Sequence, residues 1–249
     1  MRIPSSHFLR TRPIAHRGLH GAKPFIPENS YAAFENAAAH GYAIETDVRL
    51  SADGVAFLFH DDDLGRLTDG CGPADEKTWS ELSSLTLKGS GERIPRFDEF
   101  LQRIGGRVPL LIELKPCARR KQLVRTVLAA LRGYEGEYAL QSFDPRIVHL
   151  VKKEAPAVPR GQLGCFYAKF TPQNFLVKHM WLHFWTRPDF ISYNTCDLPY
   201  KRARRRGCLL LGWTVRTAEE YLRVKPYVDN VIFENIRPET LYVTCGQHR

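Results

Sequence analysis

The chain has 249 residues, of which 43% are hydrophobic and 25% are charged, a composition typical of a soluble globular protein. Lys and Arg outnumber Asp and Glu by 36 to 27, and the net charge of +9 favours anionic partners without choosing among phosphates, anionic lipid and nucleic acid. No stretch has the roughly 18 uninterrupted apolar residues of a membrane-spanning helix, and the N-terminus lacks the apolar core of a secretory signal. The six cysteines include no CxxC pair, which argues against a zinc ribbon and indicates reduced thiols in a cytoplasm.

Apolar runs typical of strands alternate with helical patterns along the chain. The predicted strands span residues 13–18, 42–50, 108–115, 138–143, 160–166, 190–194, 208–215 and 229–235. The predicted helices span residues 30–40, 97–104, 119–132, 145–153, 198–206 and 217–224. This alternation predicts an α/β fold, a (β/α)₈ TIM barrel with its active site at the C-terminal ends of the strands, and a doubly wound sheet is the alternative. We expect a single domain over residues 1–249, with irregular insertions near 61–96 and 167–189.

Polar and charged side chains stand near the ends of the predicted strands. In a (β/α)₈ barrel the active site lies at the C-terminal ends of the strands, so these side chains are expected to meet although they are far apart in the chain. They are His16, Arg17, Glu45, Asp47, Glu113, Lys115, Ser142, Trp213 and Glu234.

The carboxylates among them suggest a metal site. Glu45 and Asp47 are two residues apart on a predicted strand, so both side chains leave the same face, and Glu113 comes from an adjacent strand. Three inward-facing carboxylates would repel one another unless a cation lay between them, and Mg²⁺ and Ca²⁺ prefer oxygen ligands. The alternative is that cations of the chain itself neutralise them, and the candidates are Arg17, Arg49 and Lys115.

His16 and His60 are candidate acid and base groups. Each follows an apolar run at the exit from a strand, and Asp61 comes directly after His60. Imidazole titrates near neutral pH, so one histidine can remove a proton while the other donates one. The alternative is a structural role, which is more common for a lone histidine.

Arg17 and Lys115 indicate an anionic substrate, since a guanidinium group offers a forked contact to phosphate. The stretch PENS places Glu28 and Asn29 at the mouth of the predicted site. Asn29 or Ser30 also fits the role of a helix cap, and the two interpretations are compatible.

Other patterns carry less weight. His179 and His183 have the i,i+4 spacing of a zinc-binding helix but lack the glutamate that follows the first histidine in that motif, and Cys117 is taken as structural. The basic run KRARRR, residues 201–206, is interpreted as a solvated helix end, with a surface for anionic lipid or RNA as the alternative.

Residues 14–70 include the stretches IAHRG…PENSYAAFENAAAHGYAIETDVRLSADGVAFLFHDDDLGRLTDG. This block closely resembles the opening block of the glycerophosphodiester phosphodiesterase family. The resemblance continues in matching order and spacing through WSELSSL, RIPRFDEFL, LLIELK, QSFD and GWTV. The resemblance therefore covers the chain from about residue 13 to its end, and together these pieces are highly specific.

The resemblance implies a TIM barrel that uses a divalent metal, Mg²⁺ or Ca²⁺, to hydrolyse glycerophosphodiesters to glycerol 3-phosphate and an alcohol. The site residues that it implies are His16 and His60 as acid and base, Glu45, Asp47 and Glu113 as metal ligands, Arg17 and Lys115 as phosphate contacts, Glu28 within the site, and Trp213 beside the glycerol. Two mechanisms stay open. The glycerol 2-hydroxyl attacks phosphorus and water then opens the cyclic phosphate, or water attacks directly.

The sequence departs from the family near its C-terminus, where an aspartate followed by a proline is usual. Here FENIRP offers Glu234 and places Pro238 later, and we assign Glu234 no role. The 167–189 insertion is dense in Phe, Trp and His with flanking basic residues. We interpret it as a lid packed on the barrel or as a segment that enters a lipid interface, which would shift the substrate toward lysophospholipids or phospholipids.

The leading hypothesis is a cytoplasmic, metal-dependent phosphodiesterase for small glycerophosphodiesters. A lysophospholipase D-like or phospholipase-like enzyme at a membrane surface, peripheral to an anionic membrane, is the first alternative. A catalytically silent barrel that binds anionic lipid or RNA is an alternative of another class, and the intact histidine pair and carboxylates argue against it. No specific nucleic-acid partner is expected, since no aromatic-basic groove is evident. The sequence leaves the oligomeric state open.

Overall fold

The computed structural model describes residues 3–22, 25–166, 171–204 and 208–238, and its centre is a sheet of mostly parallel strands. The strands are β1 (Ile14–Ala15), β2 (Gly21–Ala22), β3 (Phe25–Ile26), β4 (Ala43–Leu50), β5 (Ala56–Leu58), β6 (Leu110–Leu114), β7 (Tyr138–Ser142), β8 (Arg160–Gly164), β9 (Phe190–Asn194), β10 (Leu209–Val215) and β11 (Asn230–Phe233). β1 pairs with β4 on one side and β11 on the other, which closes β1, β4 and β6 to β11 into a barrel of eight parallel strands. β5 pairs antiparallel with the end of β4, and β2 pairs with β3.

Helices connect most of the barrel strands and cover the outside of the barrel. The helices are α1 (Phe8–Thr11), α2 (Tyr31–Ala39), α3 (Trp79–Ser84), α4 (Phe97–Ile104), α5 (Arg120–Ala130), α6 (Pro145–Glu154), α7 (Pro172–Lys178), α8 (His183–Thr186), α9 (Lys201–Arg204) and α10 (Ala218–Val224). The predicted (β/α)₈ TIM barrel is confirmed. The doubly wound alternative is wrong, because the sheet closes on itself.

Most helices begin and end where the sequence supplies the signals. Ser30 caps α2 by accepting from the Ala33 backbone N–H, and Asp144 caps α6. The predicted helix over 198–206 begins later in the structure, where α9 starts at Lys201, two residues after Pro199. Residues 205–207 lie outside the described part of the chain, so the basic run KRARRR is described only in its first four residues.

Alternate residues of each strand face the barrel interior and the surrounding helices. In β4, Ile44 and Val48 pack outward into the core shared with the helices, whereas Ala43 packs inward. The interior cluster near the N-terminal ends of the strands comprises Ile3, Phe8, Leu9, Ile14, Ala43, Leu111, Ala139, Phe190, Leu209, Leu211 and Ile232. Glu45 and Asp47 share the face of Ala43 beyond this cluster, so polar groups occupy the C-terminal half of the barrel.

The two insertions contain short regular elements. Residues 61–96 hold α3 and the 3₁₀-helices Leu64–Arg66 and Ala74–Glu76, over a separate buried cluster that includes Phe57 and Phe59. Residues 171–189 hold α7 and α8, and residues 167–170 lie outside the described part. None of the helices that the structure describes combines the length and apolar character needed to cross a membrane. The division of the chain into one domain stays a prediction.

Candidate active site

Three buried carboxylates lie together in the C-terminal half of the barrel. Asp47 of β4 pairs in register with Glu113 of β6, and Glu45 precedes Asp47 on the same face of its strand. One oxygen atom of each carboxylate lies within 4.8 Å of the other two, and the three residues are 5% exposed or less. The structure therefore brings the three predicted metal-ligating residues into one cluster.

Two cations of the chain border this cluster. Lys115 Nζ lies 3.3 Å from Asp47 Oδ1 and 3.0 Å from Glu113 Oε1. Arg17 Nε lies 3.5 Å from Asp47 Oδ2, and the Arg17 backbone N–H donates to Glu45 Oε2 at 3.0 Å. Both residues predicted to contact phosphate are thus beside the carboxylates, one at each side of Asp47.

The charges of this cluster do not balance. Burial acts to raise the pKa of Asp47, but Lys115 and Arg17 outweigh it and hold that pKa well below its usual range. Burial and the neighbouring carboxylates hold the pKa of Glu45 well above its usual range, and burial also raises the pKa of Glu113. Three carboxylates face two cations, so a further positive charge is needed for all three to ionise. This oxygen-only donor set fits a hard divalent cation such as Mg²⁺ or Ca²⁺.

His16 follows β1 and donates to Glu234, which follows β11. The distance from His16 Nδ1 to Glu234 Oε2 is 2.7 Å, and Arg216 Nε donates to Glu234 Oε1 at 2.6 Å. Burial acts to raise the pKa of Glu234, but His16 and Arg216 lower it to about 2, so the carboxylate is ionised and only accepts. Nδ1 of His16 therefore carries the proton, and Nε2 carries the lone pair. Burial lowers the pKa of His16 to about 4, against the opposing effect of Glu234.

His60 follows β5 and is held from two directions. Its Nδ1 lies 2.8 Å from Asp61 Oδ1, and its backbone carbonyl accepts from Arg49 Nη2 at 2.9 Å. Burial acts to raise the pKa of Asp61, but Arg66 and His60 lower it below its usual range, so Asp61 accepts and Nε2 of His60 carries the lone pair when the ring is neutral. The sequence analysis named Arg49 as a possible counter-ion of the carboxylate cluster. In the structure its guanidinium instead supports the backbone of His60.

Glu28 joins the surroundings of the two histidines. Arg17 Nη1 donates to Glu28 Oε1 at 2.7 Å, and Arg66 donates to both oxygens of Glu28 at 2.5 and 3.1 Å. Arg66 Nε also donates to Asp61. Burial acts to raise the pKa of Glu28, but Arg66 and Arg17 lower it below its usual range. A continuous chain of charged contacts therefore runs from Arg17, next to His16, to Asp61.

Asn29 supports the carboxylate cluster, while the helix cap is Ser30. Asn29 Nδ2 donates to Asp47 Oδ2 at 2.9 Å, and its Oδ1 accepts from the Thr46 hydroxyl at 2.8 Å. Its φ of +51° lies in the left-handed region, which Asn tolerates better than most residues. Of the two caps offered by the sequence, the structure uses Ser30, and Asn29 orients Asp47.

Trp213 of β10 contacts Phe143, a residue that lines an open cavity. Its ring meets Phe143 edge-on with 5.6 Å between centroids, and its buried Nε1 has no hydrogen-bond partner among the residues that the structure describes. The cavity has a volume of about 510 Å³. The residues that line it include His60, Lys115, Phe143, Asn174 and Val177, the last two from α7. The cavity is therefore bounded by the site on one side and by the 167–189 insertion on the other.

His179 and His183 lie apart from this site. His179 follows α7 and its Nδ1 lies 2.9 Å from the Tyr200 hydroxyl, whereas His183 begins α8, so the two are not on one helix. Within the described ranges, the groups that could hold a metal are Glu45–Asp47–Glu113 and His16–His20–Glu234. Neither group includes these two histidines.

Several residues of the site have no role in the sequence analysis. Arg216 directly follows β10 and Glu234 directly follows β11. Its place at the end of a predicted strand could have identified Glu234 as a residue of the site. Arg66 lies on a 3₁₀-helix of the 61–96 insertion, whose path no hydrophobic pattern predicts. His20 directly precedes β2, and its Nε2 lies 3.8 Å from Glu234 Oε2. Apart from its nearness to His16 in the chain, no sequence pattern identifies it as a residue of the site.

Two histidines, each beside a carboxylate, lie next to a cluster of buried carboxylates and cations. This arrangement is suited to the cleavage of a phosphate ester, and in a (β/α)₈ barrel it indicates a phosphodiesterase. The sequence model of the Glycerophosphoryl diester phosphodiesterase family matches residues 16–237. The chain belongs to that family, as the resemblance implied. The prediction of a glycerophosphodiester phosphodiesterase is confirmed at this level.

The chain is similar to known relatives over nearly its whole length. It is 31% identical over 246 residues to the glycerophosphodiester phosphodiesterase of Caldanaerobacter subterraneus subsp. tengcongensis, over 94% of this chain and 97% of that protein. The glycerophosphodiester phosphodiesterase structure from Agrobacterium tumefaciens has 26% identity and a TM-score of 0.68, over 90% of this chain and 96% of that one. An Oleispira antarctica phosphodiesterase, solved with its product sn-glycerol-3-phosphate, shares the fold with 23% identity and a TM-score of 0.78, over 94% and 96% of the two chains.

Proposed function

We propose that this enzyme hydrolyses glycerophosphodiesters to glycerol 3-phosphate and an alcohol, with a divalent metal held by Glu45, Asp47 and Glu113. The observation that carries the proposal is the excess negative charge of these buried carboxylates beside Arg17 and Lys115. When bound, the ion neutralises phosphate charge and lowers the pKa of a coordinated hydroxyl group. Mg²⁺ and Ca²⁺ both suit these ligands.

Arg17 and Lys115 bind the phosphate. Burial acts to lower the pKa of each, but the neighbouring carboxylates outweigh it and raise both, so the two groups stay charged. Glu28 holds the Arg17 guanidinium in one orientation, which leaves its other N–H groups for phosphate oxygens. The indole N–H of Trp213, buried without a partner within the described ranges, is a donor for a glycerol hydroxyl.

His16 acts as the base. Burial lowers its pKa to about 4, so the ring is neutral at physiological pH and its Nε2 can accept a proton. Glu234 accepts from Nδ1, which fixes both the tautomer and the direction of Nε2. Glu234 also stabilises the imidazolium that forms when Nε2 takes the proton.

His60 acts as the acid toward the leaving alcohol. Its side chain lines the open cavity, which is where a head group can extend and depart. Asp61 accepts from Nδ1 and stabilises the protonated ring until Nε2 gives up its proton. The two histidines thus have the same construction, each with a carboxylate behind it.

Two attacking oxygens are compatible with these roles. In one mechanism, His16 removes the proton of the glycerol 2-hydroxyl, that oxygen bonds to phosphorus, and the bond to the alcohol oxygen breaks as His60 protonates it. Water then opens the cyclic phosphate with the roles of the histidines exchanged. In the other, His16 removes a proton from water, the water oxygen bonds to phosphorus directly, and the bond to the alcohol oxygen breaks as His60 protonates that oxygen. A diester that lacks the 2-hydroxyl separates them, since only the second mechanism cleaves it.

The products of glycerophosphocholine test the proposal. ³¹P NMR of a reaction with Mg²⁺ or Ca²⁺ is expected to show the glycerophosphocholine signal replaced by that of glycerol 3-phosphate. A phosphocholine signal would place the broken bond on the glycerol side and contradict the proposal. An unchanged spectrum with folded, metal-loaded protein would favour the silent barrel. A cytoplasmic location, and substrates presented by a membrane, stay predictions that this reaction does not address.

A further inference from the structure

Exposed aromatic side chains are concentrated in one part of the chain. Among the described residues, the large hydrophobic side chains with high exposure are Phe25, Phe166, Phe175, Trp181, Phe184, Leu222 and Tyr227. Four of these lie between residues 166 and 184, and Phe184 is 72% exposed. Single exposed apolar residues are ordinary, but a concentration of large aromatic ones marks a surface that meets another apolar phase.

These aromatic residues form one surface, which we call the aromatic rim and define as Phe166, Phe175, Lys178 and Trp181. The Phe175 and Trp181 rings lie 5.8 Å apart, and Lys178 Nζ lies 3.9 Å from the centre of the Phe166 ring. Lys178 and Phe175 both belong to α7, which links the two contacts. Phe184 continues the exposed aromatic run three residues beyond Trp181.

The aromatic rim lies next to the mouth of the active site. Phe166 comes two residues after the end of β8, at the C-terminal edge of the barrel, where the catalytic groups also lie. On α7, Asn174 and Val177 line the cavity that contains His60, while Phe175 between them is exposed. One short helix therefore forms a wall of the cavity and part of the rim.

The surroundings of the aromatic rim are positively charged. Residues 171–204 contain five Lys and Arg residues and two Asp residues. Asp189 is buried against Arg160, and Asp197 accepts from the Phe166 backbone N–H, so both acids are engaged within the fold. Lys201 and Arg202 are exposed at the start of α9. Cations that surround exposed Phe and Trp complement a surface with anionic head groups and an apolar interior.

We propose that the aromatic rim docks onto an anionic lipid surface. Trp and Phe enter the boundary between head groups and acyl chains, while Lys178, Lys201 and Arg202 contact the anionic head groups. Docking turns the cavity mouth toward the lipid. The substrate class rests on the proposed function. It is then a glycerophosphodiester carried in a lipid surface, such as a lysophospholipid. Its acyl chain lies along the aromatic rim.

Vesicle co-sedimentation tests the docking without reference to catalysis. The vesicles contain phosphatidylcholine alone or phosphatidylcholine with phosphatidylserine. Wild type is expected to sediment with the anionic vesicles, less so at high salt, and the double variant Phe175→Ser/Trp181→Ser is expected to lose roughly tenfold in apparent affinity. The matched control is Leu222→Ser/Tyr227→Ser. Leu222 lies on α10 and Tyr227 follows it, and their exposed fractions of 53% and 41% are comparable to those of the rim residues. This control is expected to sediment like wild type.

Three results would overturn the docking: no sedimentation of wild type, equal sedimentation of the rim variant, or equal loss in the control. A rim that serves a protein partner would give the first of these. Turnover of soluble glycerophosphocholine, measured on the same preparations, separates the two proposals. The rim variant should keep that turnover and lose several-fold of its activity on lysophosphatidylcholine carried in anionic vesicles. If wild type sediments but cleaves neither substrate, the proposed function fails and the docking stands.

Discussion

His16 and Glu234 are 218 residues apart in the chain and 2.7 Å apart in the site. They meet because β1 and β11 are the strands that close the barrel, and each residue is the first one after its strand. The register pairs Ala15 with Phe233, so the next residue of each strand extends from the same edge. Closure of the barrel therefore builds the pair that orients the proposed base.

Replacing Glu234 with Gln tests this pair. The amide removes the charge that stabilises the His16 imidazolium, so kcat is expected to fall by roughly tenfold to a hundredfold with little change in KM. Because Glu234 raises the pKa of His16, its loss shifts the acid limb of the pH profile to lower pH. Glu219→Gln, at an exposed carboxylate in the first turn of α10, is the control and should behave like wild type. A Glu234→Gln enzyme with an unchanged pH profile would show that the pair is only structural.

The depressed pKa of His16 also predicts how stability depends on pH. Between pH about 6.5 and about 4 the unfolded chain binds a proton at this histidine and the folded chain does not, so stability falls as pH falls through that window. The loss is on the order of 3 kcal/mol by the usual conversion of a pKa difference. Urea unfolding from pH 7 to pH 4 should therefore show a shallower decline for His16→Gln than for wild type. His40→Gln, at an exposed histidine, should decline as wild type does.

Charge repulsion within the carboxylate cluster predicts that loss of the Glu45 charge raises stability and lowers activity. Glu45→Gln removes one of three crowded carboxylates, so the metal-free protein should gain on the order of 1 kcal/mol in unfolding free energy while activity is lost. Mg²⁺ or Ca²⁺ should raise the melting temperature of wild type, because the ion binds only the folded state. The variant should lose most of that rise. A variant that melts lower than wild type without metal, or that keeps the full metal-induced rise, would contradict a repulsive metal site.

Arg66 offers a test of the contacts that orient His60. Its guanidinium donates to Glu28 and to Asp61, so Arg66→Gln should loosen Asp61 and reduce kcat by roughly tenfold. The double variant with Asp61→Asn should lose little more than Asp61→Asn alone, since both changes act through one contact. Arg125→Gln, at another exposed and ion-paired arginine, is the control. Additive losses in the double variant would mean that Arg66 acts elsewhere.

Much of the fold was predictable because its signals are local. All eight barrel strands lie within the ranges predicted from apolar runs, and α4 spans the predicted residues. Because successive side chains of a strand point to opposite faces, the sequence alone also predicts that Glu45 and Asp47 lie on the same face of β4. The prediction of a helix over 198–206 was wrong in its first turn. The composition of this stretch is typical of a helix, but residues 198–200, which include Pro199, adopt other backbone conformations.

The contacts that orient the site were not predictable in the same way. Glu234 meets His16 only when the barrel closes, and Arg66 reaches Glu28 only because the 61–96 insertion folds back over the site. Such contacts depend on register and on loop paths, which no periodic pattern encodes. The roles of Asn29 and Ser30 were separable only from geometry, since both residue types cap helices well.

The most direct test of the central claim is release of glycerol 3-phosphate from glycerophosphocholine by wild type and His16→Ala, each with Mg²⁺, Ca²⁺ or EDTA. We predict turnover by wild type with at least one of the two ions, its loss in EDTA, and its loss in the folded His16→Ala variant under every condition. Turnover that persists in EDTA, or that survives in His16→Ala, would contradict the account of a metal-dependent enzyme whose base is His16.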